Sequence, residues 1–223
     1  MAADKLTRDT VIDQAMALAD EEGVDAVTIR RLAARLGVTP MALYWHFKNK
    51  DELMAALAEH VLGGVTAGVS PDDPWRDRLR VLVEAVVHAM REHRSLPDIL
   101  TAVVDKHSVD SFNRATEAAL DVLTTAGFTI SESFYISSYL LNGTIGLVKG
   151  RPDCPKGPER DEAERRRQHA LRLEALPRGR FPHVVEYGTI AAGPVDVEHY
   201  FSFGIDVMLS GVEAMAAGRE KPE

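Results

Sequence analysis

The stretch "TIRRLAARLGVTPMALYWHFKNKDEL", Thr28 to Leu53, decides the fold of this chain. It contains two short helical segments separated by a glycine, and three consecutive rings (Tyr, Trp, His) at positions 44–46. Successive helical side chains point about 100° apart, so three consecutive rings cannot all face one core. We expect Leu43 and Phe47 to be the inward pair, because residues four apart share a helix face. The rings between them are then exposed, and large exposed rings indicate a binding surface.

Residues that typically begin and end helices divide this stretch. Thr28 and Thr39 are predicted N-caps, the second followed by a proline at the first helical position. Gly37 is expected to take a positive φ in the turn between the two helices. Asn49 and Glu52 form the capping-box pattern of a further helix. Two short helices joined by such a turn are typical of a helix-turn-helix, whose second helix enters the major groove of DNA.

Charge is distributed unevenly along the chain. The net charge of −8 argues against a nucleic-acid-binding protein when taken as an average. Between Thr28 and Lys50, however, there is no Asp or Glu. The basic residues of this segment are Arg30, Arg31, Arg35, Lys48 and Lys50. A basic segment around the exposed rings indicates a local site for a polyanion on an otherwise acidic protein.

The rest of the sequence predicts an all-α protein. Helices are predicted at 7–22, 75–92, 96–104, 108–125, 131–149 and 195–217. The segments 131–149 and 195–217 are poor in charged residues, which favours burial on both sides and therefore contact with a partner subunit. The segment 150–182 is rich in Pro, Gly, Arg and Glu; residues 161–173 are expected to be helical and the flanks mobile. Whether this segment is ordered or closes over a pocket stays open.

Composition and motifs exclude several classes of protein. An apolar fraction of 45% and a charged fraction of 27% are ordinary for a soluble globular protein. Membrane-span and signal-peptide patterns are absent, and the single cysteine, Cys154, gives no reason for export, so we expect a cytoplasmic protein. We find no P-loop, GxGxxG, GxSxG or HExxH motif. The sequence therefore predicts no enzyme activity, no metal and no cofactor.

The segment "TIRRLAARLGVTPMALYWHFKNKDELMAAL" resembles the DNA-binding domain of the TetR family of bacterial transcriptional regulators, especially its tetracycline-repressor-like members. The segments "LTTAGFTISESFYISSYLLNGTIGLV" and "VEHYFSFGIDVMLSGVEA" resemble, more weakly, two C-terminal helices of that family. The resemblance implies a three-helix DNA-binding domain at 1–50 and a regulatory, ligand-binding and dimerisation domain at 51–223. Helix 50–63 would be the connector, and helices at about 131–149 and 195–217 would form the homodimer.

The family resemblance also implies a function. The chain would be a homodimeric repressor that binds a palindromic operator and is released by a small hydrophobic or amphipathic molecule. On the recognition helix lie Thr39, Pro40, Met41, Ala42, Tyr44, Trp45 and His46; Thr28, Arg30 and Lys50 are the further DNA-binding residues. Residues 39–42 differ from those of the tetracycline-repressor-like members, so we expect a different operator sequence.

The effector site is predicted less directly. Tetracycline-repressor-like members bind a drug–magnesium complex with a histidine and an acidic residue, and the comparable stretches here offer no clear equivalent. Candidate pocket residues are polar or aromatic side chains that interrupt apolar helix faces. These are His88, Met90, Phe112, Phe134, Tyr139 and Asn142.

Other interpretations stay open on the sequence alone. The chain could be an all-α small-molecule-binding protein or enzyme without operator function. It could also be an architectural DNA-binding protein without an effector. The sign of regulation, repression or activation, is also left open by these patterns.

Overall fold

The structure is a computed structural model that describes residues 6–151 and 159–219, with the backbone alone for 159–162. These residues form α-helices and two 3-10 turns and include no strand, which confirms the all-α prediction. The helices are α1 Arg8–Glu22, α2 Ile29–Leu36, α3 Pro40–Tyr44, α4 Lys50–Leu62, α5 Trp75–Glu92, α6 Leu96–Ala102, α7 Asp110–Thr125, α8 Ile130–Lys149, α9 Glu159–Glu174, α10 Pro182–Ala191 and α11 Val197–Ala217. The 3-10 turns are Val24–Ala26 and Lys106–Ser108.

The predicted starts of the helices around the helix-turn-helix, and the predicted end of α2 at Gly37, are confirmed. Thr28 and Thr39 each accept a hydrogen bond from the backbone N–H three residues on, at 3.2 and 3.4 Å. Gly37 ends α2 with a φ of 66°, a left-handed conformation that a β-carbon would strain. Asn49 accepts from the N–H of Glu52 at 2.8 Å. The Glu52 carboxylate accepts from the N–H one residue before Asn49, also at 2.8 Å.

The described residues divide into two compact units, one within Met1–Val148 and Ile205–Glu223 and one within Lys149–Gly204. In the first unit, α1 packs on α2 and α4, and α4 in turn packs on α6 and α7. In the second, α9 packs on α10 at Gly188, where a β-carbon would lie 3.0 Å from the Glu174 nitrogen. This division does not separate residues 1–50 from the rest, so the domain boundary at 50 stays a prediction.

The segment 150–182 and its surroundings differ in part from the expectation. Helix α9, Glu159–Glu174, extends the helix predicted at 161–173, and Cys154 lies outside the described residues. Helix α10, Pro182–Ala191, was not predicted. It begins with a proline, which suits the first helical turn, and it buries only Val185 and Gly188. Within the described ranges, no helix has the length and apolar character needed to cross a bilayer.

Candidate nucleic-acid interface and effector cavity

The region around α3 separates an inward pair from an outward ring surface. Leu43 and Phe47 are 0% and 1% exposed, whereas Tyr44 and Trp45 are 49% and 85% exposed. Arg8 covers one face of the buried Phe47 ring, with its guanidinium carbon 4.9 Å from the ring centroid. The expectation that positions 43 and 47 anchor the segment is confirmed. Because Leu43 and Phe47 anchor this segment in the core, the indole of Trp45 between them is held in solvent.

The recognition helix is shorter than predicted. It ends at Tyr44, and the N–H groups of His46 and Phe47 both donate to the carbonyl of Leu43, each at 2.9 Å. The prediction that Trp45 and His46 lie on this helix is therefore wrong. Trp45 is its C-cap and His46 lies in the turn that follows, because the shared carbonyl closes the helix there. The ring surface lies at the carboxyl end of α3.

Two of the five basic residues serve the fold of this region. Arg31 forms an ion pair with Glu22 of α1, and Arg35 forms two bonds with Glu21, at 2.7 and 2.8 Å. The hydrogen bond from Glu21 raises the pKa of Arg35, and the same contact lowers the pKa of Glu21. These guanidinium groups fasten α2 to α1, so their charge is already balanced.

The other three basic residues of the segment, Arg30, Lys48 and Lys50, have no ion pair with a residue that the structure describes. All three are exposed. They accompany the exposed rings on the same short stretch of chain. An exposed surface of unpaired cations and aromatic rings can bind phosphate, sugar and base edges.

The predicted DNA-binding residues are accessible in the structure. Thr28, Arg30, Thr39, Pro40, Met41, Tyr44, Trp45 and Lys50 are exposed, and Ala42 and His46 are half-buried. The hydroxyl oxygens of the two threonines accept capping hydrogen bonds, which leaves each O–H able to donate to another group. Each residue of the set is thus at least partly accessible, and its DNA contacts stay a prediction.

A cavity of about 380 Å³ lies in the first unit. Its wall is formed by the end of α4, by α5 and α6, by the turn Lys106–Ser108, and by α7 and α8. Of the six predicted pocket residues, Phe112, Phe134 and Asn142 line it. Apolar side chains such as Leu82 and Val86 of α5 make up most of the wall. This is the usual character of a site for a small organic molecule.

The other three predicted pocket residues lie elsewhere. The His88 side chain is 72% exposed and its Nε2 lies 3.4 Å from Glu92 on the same helix. Met90 is fully buried but is not part of the cavity wall, and Tyr139 is 76% exposed. The cavity face of α5 passes through Val86, and a residue two positions on points about 200° away from it. His88 therefore cannot share that face.

Sequence reasoning missed Lys106 and His107, which also line the cavity. They lie in a short 3-10 turn, where helical periodicity gives no prediction of which way a side chain faces. The useful signal was their place between the two helices predicted at 96–104 and 108–125. Among the described residues that form the wall, Lys106 is the one whose side chain carries a formal charge.

Helix α4 joins the DNA-binding region to the cavity wall. Its residue Glu59 accepts a hydrogen bond from the Ser111 N–H at 2.7 Å and another from Arg114 at 3.2 Å. Burial disfavours ionisation of Glu59, but the bonds from Ser111 and Arg114 outweigh it and lower its pKa. Both donors lie on α7, which also forms part of the cavity. A shift of α7 would therefore pull on α4.

A second bond set joins α1 to the corner between α5 and α6. Asp20 of α1 accepts from the N–H and the hydroxyl of Ser95, at 2.9 and 2.7 Å. The Nδ1 atom of His93 lies 3.2 Å from the same carboxylate. The side chain of Ser95 is buried, so these bonds are shielded from water. Both α1 and α4 are thus tied to helices that surround the cavity.

An apolar face of α8 and α11 is exposed in the single chain. Tyr135 and Tyr139 of α8 are 59% and 76% exposed, and Val207 and Met215 of α11 are 59% and 54% exposed. The helices meet at Gly143 of α8, where a β-carbon would lie 2.6 Å from the sulfur of Met208 on α11. A β-carbon at Gly146 or Gly211 would meet nothing within 4 Å. Large exposed apolar surfaces of this kind mark protein interfaces.

Comparison with known proteins agrees with these features. Residues 11–57 match the family model described as "Bacterial regulatory proteins, tetR family", and residues 67–216 match "Tetracyclin repressor-like, C-terminal domain". The chain is 30% identical to the tetracycline repressor protein class C of Escherichia coli, over 95% of this chain and 92% of that protein. The relatives named here regulate transcription, and none is an enzyme.

Solved structures show the same fold. A possible TetR family transcriptional regulator from Streptomyces coelicolor has a TM-score of 0.75 and 27% identity, covering 94% of this chain and all of the other. ActR of Streptomyces coelicolor in complex with actinorhodin has a TM-score of 0.74 and 24% identity, covering 95% and 99%. The chain belongs to the TetR family of bacterial regulatory proteins and is a transcriptional repressor.

Proposed function

We propose that this repressor binds a palindromic operator as a homodimer and leaves it when a hydrophobic or amphipathic small molecule occupies the cavity. The observation that carries the proposal is the exposure of Trp45, 85%, directly beside the buried Leu43 and Phe47. Met41 and Tyr44, close by in the chain, are also exposed, and a cluster of large apolar side chains in solvent marks a binding surface. Binding to an operator in bacterial DNA would also place the protein in the cytoplasm.

Each predicted DNA-binding residue has a role that follows from its chemistry. Arg30 can bind a guanine edge or a phosphate with its guanidinium fork, and Lys50 is suited to phosphate as a point charge. Tyr44, Trp45 and His46 offer rings and donors for sugar, phosphate and thymine methyl groups. The residues 39–42 open the recognition helix, and they would select this protein's operator sequence.

Dimerisation is supported by the exposed apolar face of α8 and α11. Tyr139 and Val207 would be covered by the same face of a second copy, as the self-complementary contact of a two-fold dimer requires. Gly146 and Gly211 leave room there for close approach of a partner helix. Two recognition helices related by a two-fold axis would read two half-sites about 34–36 Å apart.

Release of DNA follows from the two bond sets that join the cavity to the DNA-binding region. A ligand that fits better when α7 is displaced would pull Glu59, and with it α4. The corner at Ser95 would transmit a similar displacement to Asp20 of α1. The dimer then favours a spacing of its recognition helices that no longer matches the operator. A preference of about 1–3 kcal/mol is enough to change occupancy strongly.

The test is a footprint on the DNA beside the gene, with the wild type, Arg30→Gln and Arg31→Gln. The first arginine is unpaired and the second is already paired with Glu22, so they form a matched pair. We expect the wild type to protect one symmetric site. Arg30→Gln should make the free energy of binding to that site less favourable by about 1–3 kcal/mol. Arg31→Gln should weaken it less. Equal protection by all three proteins, or no protected site, would contradict the proposal.

A further inference from the structure

We propose that the effector carries one acidic group, which the ammonium of Lys106 binds while an apolar, two- to three-ring body fills the cavity. This inference rests on the proposed function, because it names the chemistry of the effector for that same cavity. Its starting point is the wall of the cavity, where one charged side chain lies among apolar helix faces. A volume of about 380 Å³ falls within the range of sites for small organic molecules.

The ammonium of Lys106 has no partner among the residues that the structure describes. The side chain is half-buried and forms no ion pair or hydrogen bond with a residue that the structure describes. Within the described part of the wall there is no Asp or Glu to balance it. A lysine ammonium has three donors and no acceptor capacity, so it calls for an anion or a neutral acceptor. Where water is excluded by an organic ligand, an anion is strongly preferred.

The other polar groups of the wall contribute less to ligand binding, because most already form hydrogen bonds within their own helix. Hydroxyl groups of Thr101, Ser137 and Thr144 donate to backbone carbonyls three or four residues earlier, at 2.8–2.9 Å. The amide of Asn142 donates to the carbonyl of Ser138 at 2.8 Å. These groups add little to recognition, so the unpaired ammonium determines the class of ligand.

The ring of His107, the residue after Lys106, is held in a fixed orientation. Its Nδ1 lies 2.9 Å from the side-chain oxygen of Asn113, whose amide nitrogen donates to the His107 carbonyl at 2.9 Å. The amide oxygen can only accept, so the Nδ1 atom carries the hydrogen. The ring also packs edge-on against Phe112, with centroids 5.8 Å apart. The imidazole is therefore held in place next to Lys106 and can orient a planar ligand.

The test uses two fluorescent probes that differ by one acidic group. The anionic probe is 8-anilinonaphthalene-1-sulfonate and the neutral probe is N-phenyl-1-naphthylamine. Each is titrated into the full chain of the wild type, of Lys106→Met and of Arg94→Met. The third protein is a control for loss of one cation, because Arg94 is exposed and lies outside both the cavity wall and the predicted DNA-binding set. We expect Lys106→Met to weaken the anionic probe about tenfold and to leave the neutral probe within about twofold.

The remaining results each decide against the inference. An equal loss for both probes would show that residue 106 serves packing and not charge recognition. Unchanged anionic affinity in Lys106→Met, or an equal loss in Arg94→Met, would place the anion outside this site. Failure of both probes to bind the wild type would overturn the ligand class. Operator binding is measured without probe on the same proteins, so a failure of DNA binding is seen separately from a failure of ligand choice.

Discussion

Glu59 of α4 accepts a hydrogen bond from the backbone N–H of Ser111 in the first turn of α7, at 2.7 Å. The carboxylate thus lies at the positive end of a helix that forms part of the cavity wall. Arg114, one turn further along α7, donates to its other oxygen at 3.2 Å. One side chain therefore connects the helix that begins beside the DNA-binding surface with the helix that would contact an effector.

Removing this charge should uncouple the cavity from DNA. Glu59→Gln keeps the size of the side chain but loses the charge that both donors favour. We expect operator binding without effector to stay within about threefold, and effector-induced release to need a higher effector concentration. Fluorescence anisotropy of a labelled operator measures both. Glu117→Gln, an exposed change on α7, is the matched control and should release like the wild type. Identical release curves for all three proteins would refute the coupling.

Truncation of the buried ring of Phe47 should reduce stability, whereas truncation of the exposed ring of Trp45 should reduce operator binding. Phe47→Ala removes a ring that is 1% exposed, so we expect it to lower the free energy of unfolding by about 3–5 kcal/mol. Trp45→Ala removes a ring in solvent and should change that free energy by less than about 0.5 kcal/mol. It should nevertheless weaken operator binding. Urea unfolding and operator titration of both variants separate the two roles, and a large stability loss in Trp45→Ala would count against them.

A charge on the exposed face of α11 should prevent dimerisation. Val207→Glu places a carboxylate where a second copy would cover the 59% exposed valine. The desolvation of an unpaired charge then disfavours the dimer strongly. Val104→Glu is the control, because that valine is 87% exposed in the loop between α6 and α7. Sedimentation velocity should show a monomer for the first variant and a dimer for the second. A dimer for both would exclude this face.

Glu132 should make stability depend on pH at the acidic end. Hydrogen bonds from the side chain and backbone of Thr129, and then from Arg219, lower the pKa of Glu132 to about 2. A lowered pKa means that the contribution is present above the unfolded value of about 4.3 and is lost as the pH falls towards 2. The difference in melting temperature between wild type and Glu132→Gln should therefore shrink from pH 7 to pH 3. A constant difference would contradict this assignment.

The helix-turn-helix could be predicted in detail because its determinants are local. Thr28, Thr39 and Asn49 cap helices through their own side chains. Position 37 has a positive φ, a conformation that favours glycine. Such signals depend on the adjacent backbone and not on distant packing. The length of α3 was the exception, since the closing bonds to Leu43 depend on how Phe47 packs.

The cavity could be predicted only in part because its wall depends on long-range packing. Phe112 was found by its position on an amphipathic helix, whereas Lys106 lies in a turn without periodicity. Helix α10 was missed for a similar reason, since it buries few residues and has little apolar pattern of its own. Side-chain direction outside regular helices follows from the neighbouring elements, which one sequence does not specify.

The central claim is that the surface around Tyr44, Trp45 and Lys50 reads a palindromic operator in a two-fold dimer. The most direct measurement is selection of bound sequences from a random DNA library by the wild type and by the double variant Tyr44→Ala, Lys50→Ala. We predict that the wild type enriches one palindrome with half-sites a whole number of helical turns apart, and that the double variant enriches none. Enrichment of the same sequence by both proteins, or of no sequence by the wild type, would contradict the claim.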